Sequence, residues 1–325
     1  MKLKTVDTLP ALHGKKVFLR LTMNVPVVNA VVTDDYRLGK ILPTLKTLIE
    51  RGAEVIVGSH MGSYGAGSLL PAVRYLESFV PAGSFTTLPN LRLNSGELSN
   101  DLTFARELAG LADYYVNEDF PASHREHASL VSLPKFLPSC FGYQFIEEVE
   151  HLSRFVNPPP KSMLILGGIK LSTKLPLIKS FLSKVEKIFL GSYYVYEKDN
   201  LPKDDKIVLP VDVIKNSEGK IVDIGPRTLN LMQTAIVGAS AVIWNGPMGK
   251  LEAGYKNTTE KLAKAIVTSK CQSVVGGGDS VAAIRKLGLL DEFTFVSTGG
   301  GAMLDFLTNG TLPGIDAIMN NSVND

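Results

Sequence analysis

The densest chemistry in the chain sits in glycine runs that follow short apolar segments. Gly276-Gly277-Gly278-Asp279-Ser280 comes after Ser273-Val274-Val275 and before a helical segment, VAAIRKLG. Glycines let backbone N–H groups approach an anion, and the first turn of a helix favours phosphate. Ser280 is placed to cap that helix, and Asp279 offers a carboxylate to Mg²⁺ beside the cradle. A second loop, Leu166-Gly167-Gly168-Ile169-Lys170, adds Lys170 and, four residues later, Lys174. If a helix starts near Leu171, both ammonium groups can reach one polyphosphate. A third loop, Trp244 to Glu252, brings the Asn245 amide and the Glu252 carboxylate, which suits ribose hydroxyls. The run Ser297 to Ala302 repeats the design around Gly299, Gly300 and Gly301. Each loop alone is also compatible with a tight turn, and Glu252 with a solvated side chain. Four such loops with two lysines and an aspartate are much harder to dismiss than any one of them. No G-x-x-x-x-G-K-[ST] run and no protein-kinase glycine loop with its H-R-D partner occurs, so the phosphate machinery is of another kind.

The first half of the chain carries cations instead. Arg20, Arg37, His60, Arg92, His124, Arg125 and His127 follow strand-like runs or lie in loops with glycine, proline or asparagine. Any one of them is compatible with a solvated surface residue. Guanidinium groups recurring after strands make a clamp for phosphate and carboxylate. The stretch Val17 to Arg37 shows the design: Val17-Phe18-Leu19 runs into Arg20, a polar turn holds Thr22 and Asn24, and Thr33-Asp34-Asp35 signals a helix start just before Arg37.

These residues need a scaffold that places strand ends side by side. Strand-like runs at Lys16–Leu21, Glu54–Ser59 and Tyr114–Asn117 alternate with helical periods at Leu42–Arg51, Leu69–Phe79 and Leu102–Leu111. Alternation of this kind implies parallel strands with right-handed crossovers, a doubly wound sheet. Ile146 to Val156 has helical spacing and stops at Pro158-Pro159-Pro160, a stiff connector. The pattern then restarts. Strands are expected at Ser162–Leu166, Lys187–Leu190, Ile207–Leu209, Ala241–Trp244, Ser273–Val275 and Thr294–Ser297, with helices at Leu171–Leu182, Thr258–Thr268 and Ser280–Leu287. The expected architecture is α/β: two Rossmann-like three-layer α/β/α lobes with parallel sheets, joined by an interdomain helix. The first lobe takes residues 1–145, the connector 146–160 and the second lobe 161–310, and the functional cleft is expected between the lobes.

Length and composition set the outer limits. A chain of 325 residues exceeds one ordinary core. Its 34 basic and 32 acidic residues leave a formal charge of +2, which argues against nucleic acid or a membrane surface as main partner. Cys140 and Cys271 form no C-x-x-C pair or zinc pattern, and no apolar run spans a bilayer. The expected location is the cytoplasm.

The ordered segments RLTMNVP, TDDYR, GSHMG, LPNLRL, YYVNEDFPASHREHAS, LGGIKLSTK, LPVDV, DIGP, WNGPMG, GGGDS, VSTGGGAMLDFL and LPGIDAI resemble the phosphoglycerate kinase family over nearly the whole chain. The resemblance implies reversible transfer of the 1-phosphoryl group of 1,3-bisphosphoglycerate to ADP, giving 3-phosphoglycerate and ATP, with Mg²⁺, by a monomer. It implies that residues 311–325 return to the first lobe. The first lobe would bind 3-phosphoglycerate through Asn24, Arg37, His60, Arg92 and Arg125. The second would bind nucleotide through Lys170, Lys174, Asn245, Glu252, the Gly276-Gly277-Gly278 run, Asp279 and Ser280, with Asp279 on the metal. Arg37 and Lys170 would stabilise the transferring group, and lobe closure would exclude water.

The chain also departs from the family pattern. Thr22 stands for the aspartate of the R-V-D-x-N turn, Ser63 for the arginine after S-H-L-G, and Thr173 for the aspartate between the two lysines. Pro121 stands for a glycine, and Gly191-Ser192-Tyr193-Tyr194 for a glycine-rich segment. These exchanges keep a runner-up open: a kinase-derived binding or regulatory protein with a weakened site.

Overall fold

The structure, a computed structural model, describes every residue except Met1, Lys2, Ser63, Tyr64, Ala66, Ser322, Asn324 and Asp325. The chain divides into two compact units, residues 1–150 with 311–325, and residues 151–310.

In the first unit the strands of the five-stranded sheet are β1 (Lys16–Leu21), β2 (Glu54–Gly58), β3 (Phe85–Thr87), β4 (Tyr114–Glu118) and β5 (Ser139–Phe141). They pair in the order β3-β2-β1-β4-β5, all parallel. β1 is buried at every position but Lys16, because a central parallel strand is covered on both faces. The helices are α1 (Tyr36–Glu50), α2 (Leu70–Glu77) and α3 (Leu102–Ala109), besides a four-residue turn at Ser95–Leu98, and α4 (Tyr143–Val156) begins in this unit and ends in the second. Leu38, Ile41, Leu45 and Leu48 form the buried stripe of α1. β3 and β5 are three residues each, too short for periodicity to reveal them.

α4 starts where it does because of a buried carboxylate. Glu118, at the end of β4, accepts the N–H groups of Gln144 (3.0 Å) and Phe145 (2.9 Å), orphan donors of the helix's first turn. Thr44 of α1 donates to Glu118 at 2.6 Å and accepts the N–H of Tyr143 at 2.9 Å. Burial lifts the Glu118 carboxyl to about 7 against these hydrogen bonds. The helix ends at Val156, before the prolines.

The second unit holds β6 (Ser162–Leu166), β7 (Lys187–Leu190), β8 (Ile207–Val208), β9 (Ala241–Asn245), β10 (Gln272–Gly276) and β11 (Phe295–Val296), in the parallel order β8-β7-β6-β9-β10-β11. Its helices are α5 (Leu175–Phe181), α6 (Pro226–Val237), α7 (Asn257–Ser269), α8 (Gly278–Lys286) and α9 (Gly300–Asn309). α5 starts at Leu175, not near Leu171, because Lys170 to Lys174 form a turn closed by Lys174 N–H to Leu171 C=O (2.8 Å).

α10 (Pro313–Met319) belongs to the first unit. Gly314 donates to the Ser123 carbonyl at 2.9 Å, and a Cβ there would stand 2.9 Å from Ser123 Cβ. Among the described residues no helix is long and apolar enough to cross a membrane.

Candidate active site

Open α/β sheets bind ligands outside the carboxyl ends of their strands, at the point where strand order reverses. In the first unit that point lies between β1 and β4, in the second between β6 and β9.

At the first switch point Arg20 is wholly buried. Its Nη1 donates to Asp119 Oδ2 at 2.6 Å and to the Leu21 carbonyl at 3.0 Å, and its Nε donates to Ser129 Oγ at 2.9 Å. Arg20 therefore organises the site from beneath, and grouping it with the clamp arginines is corrected. Nη2 lies 2.9 Å from His60 Nδ1. Guanidinium has no acceptor, so Nδ1 must accept and the ring proton sits on Nε2. Burial, then Arg20, Arg92, His127 and Arg125, push the His60 pKa far down. His60 is thus a neutral imidazole with one N–H to donate.

Around it stand the other cations. Arg92, buried at the end of the loop after β3, donates to the Gly62 carbonyl at 2.6 Å, and burial together with Arg125 and Arg20 lowers its pKa to about 10. Asn90 holds the same loop through Met61 (2.9 Å), Gly65 (3.2 Å) and Gly67 (3.0 Å) carbonyls. Asn24 accepts from Gly62 N–H at 3.1 Å, and Arg37, in the first turn of α1, donates to the Asn24 carbonyl at 2.9 Å. Arg125 is exposed. Ser63 lies outside the described residues. Pro121 fits the first turn of the 3₁₀ segment Phe120–Ala122, where its missing N–H costs nothing.

His124 and His127 are each lowered to about 4, first by burial and then by neighbouring cations, Arg125 for His124 and Arg92 for His127. Both rings titrate near 4 folded and near 6.5 unfolded, so the unfolded chain binds more protons between those values. Unfolding free energy is expected to fall as pH drops from about 6.5 to about 4, with no further loss from these groups below that. A His124→Gln/His127→Gln variant should show a flatter urea-denaturation profile across that window than the parent. Equal slopes would count against the cluster.

At the second switch point the glycine loops interlock. Gly167 N–H donates to the Asn245 carbonyl and Gly168 N–H to the Pro247 carbonyl, both at 2.9 Å. A Cβ on Gly167 would stand 2.0 Å from the Pro247 oxygen, so only glycine fits. Ser192 reaches the Met248 carbonyl through N–H (3.2 Å) and Oγ (2.9 Å), and Thr259 Oγ1 accepts the Met248 N–H at 3.2 Å. Asn245 Nδ2 donates to the Gly300 carbonyl at 3.1 Å. Asn245 thereby braces two loops.

Gly277 precedes α8 with φ of +99°, a conformation that L side chains rarely adopt, and opens the helix N-terminus. Asp279 is exposed in the first turn. Ser280 is the third residue of α8 and not its cap; its Oγ is buried without a hydrogen-bond partner. Lys170 is exposed. Lys174 is buried, donates from Nζ to the Gly167 carbonyl, and has its pKa lowered to about 8 by burial. With no helical turn between them, the two lysines do not lie on one helix face. Thr173 donates to the Lys170 carbonyl at 3.0 Å. Glu252 is exposed in the 3₁₀ turn Leu251–Ala253. Tyr194 is buried in the core, whereas Tyr193 is half-buried and meets Tyr196 edge-on at 6.1 Å.

No group of three metal-ligating side chains occurs among the described residues. Mg²⁺ takes one or two carboxylates and fills its shell with phosphate oxygens and water. Asp279, beside a glycine-lined helix N-terminus and the unpartnered Ser280 hydroxyl, fits such an ion arriving with a nucleotide.

Sequence reasoning missed Asp119, Glu97, Ser129, Ser192 and Thr259. Glu97 accepts from Ser129 N–H (2.9 Å) and Oγ (2.7 Å), and so supports the residue that receives Arg20 Nε. The polar run EDFPASHREHAS held a signal, since carboxylates amid cations call for partners.

Comparison with known proteins identifies the family. The phosphoglycerate kinase family model matches residues 6–81, 71–197 and 192–310. A phosphoglycerate kinase of Orientia tsutsugamushi (strain Ikeda) is 37% identical over 383 residues, covering 94% of this chain and 94% of the relative. One from Thermosipho africanus is 36% identical over 386 residues, covering 95% and 96%. Among solved structures, phosphoglycerate kinase from Coxiella burnetii gives a TM-score of 0.79 at 30% identity, covering 98% of this chain and 99% of that one. The enzyme from Pyrococcus horikoshii OT3 gives 0.88 at 26% identity, covering 99% and 100%. The chain belongs to the phosphoglycerate kinase family of glycolytic phosphotransferases.

Proposed function

We propose that this chain moves a phosphoryl group reversibly between 1,3-bisphosphoglycerate with ADP and 3-phosphoglycerate with ATP. The observation that carries the reading is the contrast between the switch points, with the Arg37 and Arg92 guanidinium groups and the Nε2–H of His60 around one and an interlocked glycine cradle with Lys174 and Asp279 at the other.

In the first unit the phosphoglycerate anion takes the guanidinium groups of Arg37, Arg92 and Arg125, the Nε2–H of His60 and the Asn24 amide. Its carboxylate is already a nucleophile, so no general base is required. In the second unit the backbone N–H groups at Gly276, Gly277 and Gly278 and the Ser280 hydroxyl face the nucleotide phosphates, Asn245 holds the loops, and Glu252 is placed for the ribose. A bound Mg²⁺ held by Asp279 would neutralise phosphate charge. Arg37 and Lys170 stabilise the charge on the transferring group, and catalysis consists of positioning and electrostatics. A monomeric, cytoplasmic enzyme is part of the same reading.

The test is a coupled assay of 3-phosphoglycerate-dependent ATP consumption with Mg²⁺. Turnover well above that of Arg37→Ala and Lys170→Ala supports it. Binding of one ligand without turnover would favour the binding or regulatory protein, for which the engagement of Lys174 with a backbone carbonyl is the structural argument.

Lys174 supplies a further check. Its ammonium loses the proton near pH 8 in the free protein, and a phosphate partner requires the charged form. Affinity for Mg·ADP is therefore full below about 8 and should decline as pH rises above it, while Lys174→Gln binds more weakly with a flatter profile from pH 7 to 9.5. Calorimetric titration at several pH values reads both. Parallel profiles would remove Lys174 from the phosphate site.

A further inference from the structure

In the sheet register Leu21 stands opposite Glu118, and one residue further along each strand come Thr22 and Asp119, both buried at the switch point. Asp119 Oδ2 accepts from Arg20 Nη1 at 2.6 Å and lies 3.7 Å from His60 Nδ1. The Thr22 hydroxyl faces the Asp119 carboxylate and favours its charged form, as do Arg20 and Arg37, against a strong burial penalty. Oδ1 makes no well-directed hydrogen bond. The neighbouring buried carboxylates are engaged elsewhere, Glu97 with Ser129 and Glu118 with the start of α4. Asp119 is thus the carboxylate that sets Arg20, and Arg20 sets the His60 tautomer.

Position 22 is where the family pattern carries an aspartate and this chain a threonine. Adjacent strands lie about 4.8 Å apart, so a carboxylate just past either strand end reaches the same crevice. We propose that Asp119 has taken over, from the neighbouring strand, the carboxylate role vacated at position 22. It is a positioning residue that holds Arg20, and through it the Nε2–H of His60, for the phosphoglycerate anion. Thr22, beside it at the switch point, favours its charged form. The exchange at position 22 then moves a charge across the crevice without losing it. The inference rests on the reading of this edge as the phosphoglycerate site.

The experiment compares wild type, D119T and the swap T22D/D119T. Calorimetry with 3-phosphoglycerate reads binding, Mg·ADP titration serves as control, and ¹⁵N NMR reads the His60 tautomer. D119T is expected to weaken 3-phosphoglycerate about tenfold or more and raise its KM, with Mg·ADP affinity unchanged. The swap should restore both binding and the Nε2–H tautomer. Wild-type affinity in D119T, or a swap variant no better than D119T, overturns the proposal. If D119T does not fold, the swap decides alone: folded with wild-type affinity supports it, and unfolded or weak overturns it. If wild type binds no 3-phosphoglycerate, the functional reading fails. The proposal is then judged without ligand, by whether the swap recovers the tautomer and the melting temperature lost in D119T.

Discussion

Arg37→Ala is expected to lower kcat by about 100- to 1,000-fold, the range for removing one preorganised donor from a transition-state charge. Arg37 stands in the first turn of α1, half-buried, with one guanidinium N–H tied to the Asn24 carbonyl. That bond ties the guanidinium to the turn at Asn24. Burial lowers its pKa, and Asp119, Glu148 and Asp34 raise it again. A cation in a poorly hydrated position reorganises little when charge develops nearby, so its loss falls on the chemical step more than on folding. Arg37→Lys should recover only part of the rate, because a point charge cannot reproduce the planar fork. Steady-state kinetics with the melting temperature as control checks this. A kcat within about threefold of wild type in Arg37→Ala would remove Arg37 from the transferring group.

The largest stability effect is expected at Arg20. Arg20→Met leaves Asp119 as a buried charge without its partner, a change that costs about 3–5 kcal/mol and lowers the melting temperature by roughly 10 °C. The pair is wholly buried and its N···O distance is 2.6 Å. Isolation of the charge is the damaging factor, so Arg20→Met/Asp119→Leu should regain part of the loss, since an apolar pair of similar volume needs no compensation. Urea denaturation of the two variants tests this. A double variant less stable than the single would mean that the pair is net stabilising and that charge isolation is not the cause. Either variant should lose 3-phosphoglycerate affinity, because His60 Nδ1 loses the donor that fixes its tautomer.

Much of the fold was legible without coordinates. Lys16–Leu21, Ser162–Leu166 and Lys187–Leu190 begin and end in the structure as their apolar runs suggest. Each opens on a polar residue, Lys16, Ser162 or Lys187, and continues in a buried run, which marks its boundary. Helix starts were harder. Leu171 has the right spacing for the first residue of α5, yet the backbone makes a separate turn there, and Lys174 packs its ammonium under Gly167. Local pattern cannot distinguish a turn from a first helical turn when both bury the same leucine. Ser280 is a strong capping type placed at the third residue of α8, where its hydroxyl is buried and unpartnered.

The sequence by itself determined that two doubly wound sheets would form and that glycine loops and cations would follow their strands. Those properties depend on apolar period and on residues near one another along the chain. Only the tertiary structure decided which charges neutralise which. Arg20 meets Asp119 across 99 positions and Ser129 across 109, because β1 and β4 become neighbours at the switch point. A buried charge takes whichever partner the topology brings within hydrogen-bond reach, and the topology sets Thr22 and Asp119 side by side although nothing along the chain links them.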